Sequence, residues 1–259
     1  MSDPAGIAAC AEIVAAGDPD RFRATMAAPV GARAVLFPIY AFNLEVARAP
    51  WVSAEPMIGE MRLQWWRDVV EEIGSGAPPR AHEVAAPLAE VAAGGRLPLD
   101  ALDRLAAAHR VHLDPEGFED EGHFDEFLEA TGGGLMWAAG AALGAEDALA
   151  PRLRAVGWAA GLAAYLRAVP ELEARGRRPL PDGRPETVRT LAEEGLSRLT
   201  SARGPVPAAV RPALLAAWRT EATLRRAAAD PGRVARDALA ESEFARRFGL
   251  LRRAFSGGW

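Results

Sequence analysis

Apolar residues recur at three- and four-residue spacings along most of this chain. Leu99, Leu102, Leu105 and Ala106 make one such stripe; Leu214, Leu215, Trp218 and Leu224 make another, on a helix that Pro212 opens. Proline and glycine gather between the periodic windows, at 74–79, 94–98 and 203–207, where they mark turns. No alternating run of β-branched residues is present, so the pattern predicts helices almost throughout and few strands. Residues 179–185 read as a loop between two helices. There are no internal repeats, and 259 residues suffice for one domain, 1–259, with a large core.

Composition narrows the setting. A single cysteine, Cys10, excludes a disulfide framework and a thiolate metal cluster and suits a reducing compartment. Asp3 and Glu12 stand near the start, without an apolar segment behind a basic one, which does not read as a secretory signal. The most apolar uninterrupted stretch, 135–143, is far shorter than the roughly 18 residues of a spanning helix. The expected location is cytoplasmic, with at most a peripheral contact with the inner membrane. Net charge is −5, which gives no reason to expect nucleic acid as a partner. That charge is uneven: from 203 onward, 11 arginines face 5 acidic residues, leaving +6 there and −11 elsewhere. Every basic residue is arginine, which a compositional bias explains; the placement at one end it does not.

Sites that need no family knowledge are few. Gly132, Gly133 and Gly134 lack the lysine, hydroxyl and preceding strand of a phosphate loop. His109 and His112 stand at i, i+3 with Asp114 and His123 nearby, a spacing that serves a metal only if the helix continues; Pro115 after Asp114 argues that it ends. Carboxylate pairs one helical turn apart occur at Asp68/Glu72, Glu116/Asp120, Glu121/Asp125, Asp125/Glu129, Asp182/Glu186 and Asp237/Glu241. Such pairs can share Mg²⁺, but an acidic helical chain supplies this many by chance, as solvated faces.

Two segments are more distinctive. The first runs Leu36-Phe37-Pro38-Ile39-Tyr40-Ala41-Phe42-Asn43-Leu44-Glu45-Val46-Ala47, followed by Gly59-Glu60-Met61-Arg62-Leu63-Gln64-Trp65-Trp66-Arg67-Asp68. The second runs Gly161-Leu162-Ala163-Ala164-Tyr165-Leu166-Arg167-Ala168-Val169-Pro170, then Arg175-Gly176-Arg177-Arg178-Pro179-Leu180-Pro181. Together with the small-residue segment Phe127 to Met136 between them, they resemble the squalene/phytoene synthase family in the same order, over about residues 20–185. The resemblance implies an all-α isoprenoid (terpenoid) synthase bundle around a central cavity, with Tyr40 to Val46 and Gly161 to Arg167 on facing helices. In the family, aspartates four residues apart on two such helices hold Mg²⁺ against a substrate diphosphate.

Here those four ligand positions fall on Ala47, Trp51, Ala168 and Leu172. None supplies the hard oxygen that Mg²⁺ needs, so no metal and no cofactor are expected unless a prenyltransferase with an altered site survives. Pro50 and Pro170 are also expected to interrupt the two motif helices. Arg48, Arg62, Arg167 and Arg175 are candidates to bind a phosphate directly, with Tyr40, Asn43 and Glu45 as cavity-lining candidates; the plainer reading of the arginines is inter-helix or surface ion pairing. Tyr40, Phe42, Trp65 and Trp66 fit core packing better than a wall around a carbocation.

The pattern Ala41, Phe42, Asn43 and Glu45, then Ile58, Gly59, Met61, Arg62, Gln64 and Trp66, then Leu166, Arg167, Ala168 and Pro170 is similar to a branch of the family that assists assembly of respiratory complex I. That resemblance implies a non-catalytic binding or assembly protein, with complex I subunits or assembly intermediates as partners. The alternatives are a squalene- or phytoene-type synthase condensing isoprenoid diphosphates, and a module for an isoprenoid or lipid ligand, since Gly157, Gly161 and the small residues near Gly132 leave space between helices. Near the C-terminus, Phe248, Leu251 and Phe255 share a helical face flanked by Arg247 and Arg252, with Arg246 and Arg253 opposite. That layout suits either an anionic membrane surface or docking as a last helix.

Overall fold

A computed structural model describes residues 4–240 and 249–253. Among the described residues α-helices follow one another with no strand: α1 Pro4–Gly17, α2 Pro19–Met26, α3 Val30–Arg48, α4 Pro56–Ser75, α5 Ala85–Ala92, α6 Leu99–Ala108, α7 Glu121–Leu128, α8 Gly134–Ala142, α9 Ala150–Ala174, α10 Pro185–Ser201, α11 Arg211–Leu214, α12 Thr220–Ala229 and α13 Gly232–Ala235, and residues 249–253 are helical as well. The proline-rich windows do fall between helices, and 179–184 is a loop joining α9 to α10.

Helix α3 is the axis of the core. Leu36, Phe37, Pro38, Ile39, Tyr40, Ala41 and Phe42 are all buried, so the helix is enclosed on every face over this stretch. Phe42 meets Trp66 of α4 edge to face at 5.4 Å, and Trp66 is itself buried, which places both in the core. Enclosure also explains a result the apolar-run reading missed. Val30–Trp51 is long and apolar enough to cross a membrane, although Arg33, Asn43 and Glu45 break its continuity; half of its most apolar window is buried inside the fold.

Helix α9 packs on a π-helical turn, Glu129–Gly133, that joins α7 to α8. The contact is backbone on backbone. A Cβ on Gly157 would lie 2.3 Å from the Gly132 carbonyl oxygen, and one on Gly132 would lie 2.4 Å from the Gly157 oxygen. These glycines therefore allow close approach; the space of their missing side chains is filled by the facing chain and is not itself a void.

Two expectations are corrected and one holds. Pro170 does not interrupt its helix: α9 runs on to Ala174, because proline at that point removes one amide donor from a helix already long and buried. Pro50 does end its motif, with α3 stopping at Arg48 and a 3₁₀ turn over Ala49–Trp51. The stripe from Leu214 to Leu224 is not one helix. The chain tightens into a 3₁₀ turn at Leu215–Ala217 before α12, and Trp218 Nε1 donates to the Asp20 carbonyl at 3.3 Å.

Near the C-terminus, Arg246, Arg247, Phe248 and Phe255 lie outside the described residues. Among those described, it is Leu250 that packs against Leu215, Trp218 and Ala24, while Leu251 is exposed. Arg252 is exposed and Arg253 pairs with Glu221 at 3.5 Å. For 249–253 the docked arrangement holds, on a face one residue out of phase with the expected stripe.

Candidate functional site

A cavity of about 370 Å³ lies between α3, α9 and the π turn. From α3 it takes Tyr40, Asn43, Leu44 and Ala47, which are i, i+3, i+4 and i+7 and so share one face over about 10 Å of helix. From α9 it takes Gly157, Ala160, Gly161, Ala164, Tyr165 and Ala168, again one face. Leu128, Leu135 and Met136 close the far side. The facing-helix expectation thus holds at residue level, and two of the four degenerate ligand positions, Ala47 and Ala168, meet at the same cavity.

The other two do not. Trp51 sits in the 3₁₀ turn, out of register with Ala47, and its ring is flanked by the guanidinium groups of Arg175 at 5.3 Å and Arg177 at 5.2 Å. Leu172 is half-buried against the core. No carboxylate lines the cavity among the described residues, so the residues present there do not fit a magnesium–diphosphate complex.

The four arginines proposed for phosphate also point elsewhere. Arg48 pairs with Glu45 at 3.2 Å, so Glu45 too is engaged away from the cavity. Arg62 is exposed, and Arg175 pairs with Glu171. Arg167 approaches Asp20 at 3.7 Å, beside Arg219, which also contacts Asp20. The ion-pair reading is the better one for Arg48, Arg167 and Arg175.

The cation that does line the cavity is Arg21, from α2, which the motifs gave no reason to choose. Its Nε approaches the Asp18 carboxylate at 3.4 Å, and its guanidinium lies 5.1 Å from the Tyr40 ring. Its Nη1 has no partner within the protein, and neither do Tyr40 Oη or the two ring nitrogens of His109, which also line the cavity. Burial pushes the Tyr40 phenol up to about 12, so it stays protonated. Burial, and secondarily His112, pushes His109 down to about 3, so its imidazole is neutral. An unpaired buried polar group typically costs about 1–3 kcal/mol, so this concentration is costly for a cavity without use. Thr131 is satisfied: its hydroxyl donates to the Phe127 carbonyl at 2.6 Å.

His109 and His112 lie in a 3₁₀ turn, His109–Leu113, not on a continuing helix. Their rings are 5.6 Å apart, and His112 stacks on Tyr165 and meets Trp51 at a tilt of 38°. Among the described residues no three metal-type ligands come together.

The sequence profile of the family described as squalene/phytoene synthase matches residues 14–249. The chain belongs to the squalene/phytoene synthase family. Its fold is that of a dehydrosqualene synthase, at a TM-score of 0.78 and 15% identity over 97% of this chain and 96% of the other. A squalene synthase from Alicyclobacillus acidocaldarius superposes at 0.62, also at 15% identity, over 97% and 94%. In sequence, the chain is 28% identical over 173 residues to NADH dehydrogenase (ubiquinone) complex I, assembly factor 6, of Bos taurus, covering 66% of this chain and 52% of that protein. The Homo sapiens protein of the same name is 27% identical over the same length, and the Drosophila melanogaster homolog 28% over 169 residues, 62% of this chain and 50% of the homolog. The chain spans about half the length of the curated relatives it matches.

Proposed function

We propose that this family member is non-catalytic and acts in the assembly of respiratory complex I, on the cytoplasmic side of the inner membrane and peripheral to it. The observation that carries the first half is the pair Ala47 and Ala168. Both face the cavity at positions that the family resemblance assigns to metal-binding aspartates, and among the described residues no carboxylate replaces them. A leaving diphosphate needs cations to neutralise its developing charge, and Arg21 alone, partly offset by Asp18, supplies too little. The second half is supported by the names of the relatives, all complex I assembly factors, and by surface. Val52, Met57, Ile58 and Met61, exposed within ten residues where the chain enters α4, offer the apolar area a protein partner requires.

Diphosphate release from farnesyl or geranylgeranyl diphosphate, with and without Mg²⁺ and beside an active synthase, tests the non-catalytic reading. Release at background is expected; metal-dependent release overturns it. Aspartates restored together at Ala47, Trp51, Ala168 and Leu172 should gain little, because the turn after Arg48 holds position 51 away from the cavity. For the assembly role, cells depleted of this chain should lose assembled NADH dehydrogenase and regain it on re-expression. Unchanged levels refute that role.

A further inference from the structure

The cavity is lined as a binding site although it is not equipped as a catalytic one. From its donors and its charge, we infer that it holds a long-chain carboxylic acid, with the carboxylate on Arg21 and Tyr40 and the hydrocarbon chain along the apolar walls. This rests on the reading of the cavity as non-catalytic and adds the class of ligand.

Three observations converge. The first is the unpartnered polar set. Tyr40, 2% exposed, presents a hydroxyl without a partner, and His109, 7% exposed, presents two such nitrogens. Arg21 Nη1 is likewise unpartnered, and all three residues line the same cavity. A carboxylate offers two oxygens as acceptors, which the Arg21 Nη1–H and the Tyr40 Oη–H can share; a charge-assisted pair of this kind is stronger than a neutral one. His109, neutral, adds an uncharged donor and acceptor without a competing negative charge.

The second is the charge. Arg21 also borders a smaller recess with Arg167 and Arg219, where the acidic residues are Asp18 and Asp20. Three cations against two anions leave an excess of one positive charge. That matches a monoanion. A diphosphate, with about three negative charges at neutral pH and no metal ligand beside it, is not matched.

The third is the remaining lining. Leu44, Phe127, Leu128, Leu135 and Met136 present aliphatic and aromatic surface, and Ala47 and Ala168 extend it to where the metal site would stand. Each methylene transferred there from water contributes favourably, and a cavity of about 370 Å³ gives the hydrocarbon chain a place to lie.

The test compares head groups on one chain. Laurate and 1-dodecanol are titrated against the full-length protein by calorimetry, beside farnesyl diphosphate with and without Mg²⁺. Laurate should bind at least tenfold more tightly than 1-dodecanol and than farnesyl diphosphate. R21M should weaken laurate at least tenfold and leave 1-dodecanol unchanged. Because Arg21 also pairs with Asp18, Y40F serves as the second variant: it removes one oxygen, keeps the ring, and should weaken laurate severalfold. Equal binding of acid and alcohol, no laurate binding, farnesyl diphosphate binding more tightly than laurate, or laurate affinity unmoved by Y40F would each overturn the inference. Turnover is read separately: metal-dependent release of diphosphate defeats the non-catalytic reading whatever laurate does, and failed laurate binding leaves that reading standing.

Discussion

Replacing His109 and His112 together by phenylalanine should remove much of this protein's loss of stability in mild acid. Both side chains are held neutral in the fold. Burial, then His112, lowers His109 from an ordinary 6.5 to about 3; burial, then the Arg177 charge, lowers His112 to about 4. The sign follows from linkage. Below pH 6.5 the unfolded chain takes up a proton at each imidazole and the folded chain does not, so unfolding is favoured as pH falls. The stability each contributes is complete above 6.5 and is lost between 6.5 and the folded value. At about 1.4 kcal/mol per unit for each histidine, the two account for about 5 kcal/mol between pH 7.5 and 4.5. That is comparable to the whole stability of many domains. Urea unfolding followed by far-ultraviolet circular dichroism at pH 7.5, 6.0 and 4.5 measures it. Carboxylates titrate alike in both proteins, so the difference between their slopes isolates the histidines. Phenylalanine also removes the two unpaired His109 nitrogens, so the variant should be at least as stable as the parent at pH 7.5. If both proteins lose the same stability between pH 7.5 and 4.5, the buried neutral histidines are not the cause and the reasoning is refuted.

The glycine contact and one inter-helix ion pair give further expectations. Gly157→Ala should destabilise by about 3 kcal/mol, since its Cβ would meet backbone at 2.3 Å and a backbone cannot turn aside as a rotamer does. Gly31→Ala, with nothing within 4 Å of its Cβ, should instead stabilise α3 by about 0.5–1 kcal/mol; thermal melts of the two variants distinguish packing from propensity. Arg67→Ala breaks a two-pronged bond to Asp103, at 2.7 and 3.1 Å, between α4 and α6. Both side chains are about a third exposed, so the loss should be about 0.5–1 kcal/mol and should shrink in high salt.

Much of the scaffold was legible in the sequence because it rests on periodicity. Tyr40, Asn43, Leu44 and Ala47 repeat at helical spacing, as do Gly161, Ala164, Tyr165 and Ala168, and both sets face one cavity. Family resemblance added which faces they were. What periodicity does not carry is the effect of a local turn on register. Trp51 is four residues from Ala47, but the 3₁₀ turn after Arg48 winds more tightly than the helix, and the indole lands between Arg175 and Arg177. Pro170 misled in the opposite direction. The proline rule weighs a lost hydrogen bond and a ring clash, while α9 gains from ten buried residues along its length.

The arginines show where the reading of the site fell short, and why part of it was avoidable. Arg48 and Arg167, offered as phosphate ligands, each adjoin a cavity-facing alanine in sequence. At about 100° per residue, Arg48 and Arg167 stand roughly 90° from the centres of the cavity-facing arcs of α3 and α9. The phase of the helix already placed both at the margin, and their pairs with Glu45 and Asp20 turn them away. Arg21 was beyond reach for a different reason. It sits on α2, a helix of eight residues whose placement depends on Asp18 capping it and on Asp20 meeting Arg219 and Trp218 from the far end of the chain. A helix placed by a contact across nearly 200 residues of separation leaves no local pattern for the charge it carries. The ligand class inferred here depends on that one side chain, since the inward faces of α3 and α9 carry no charge.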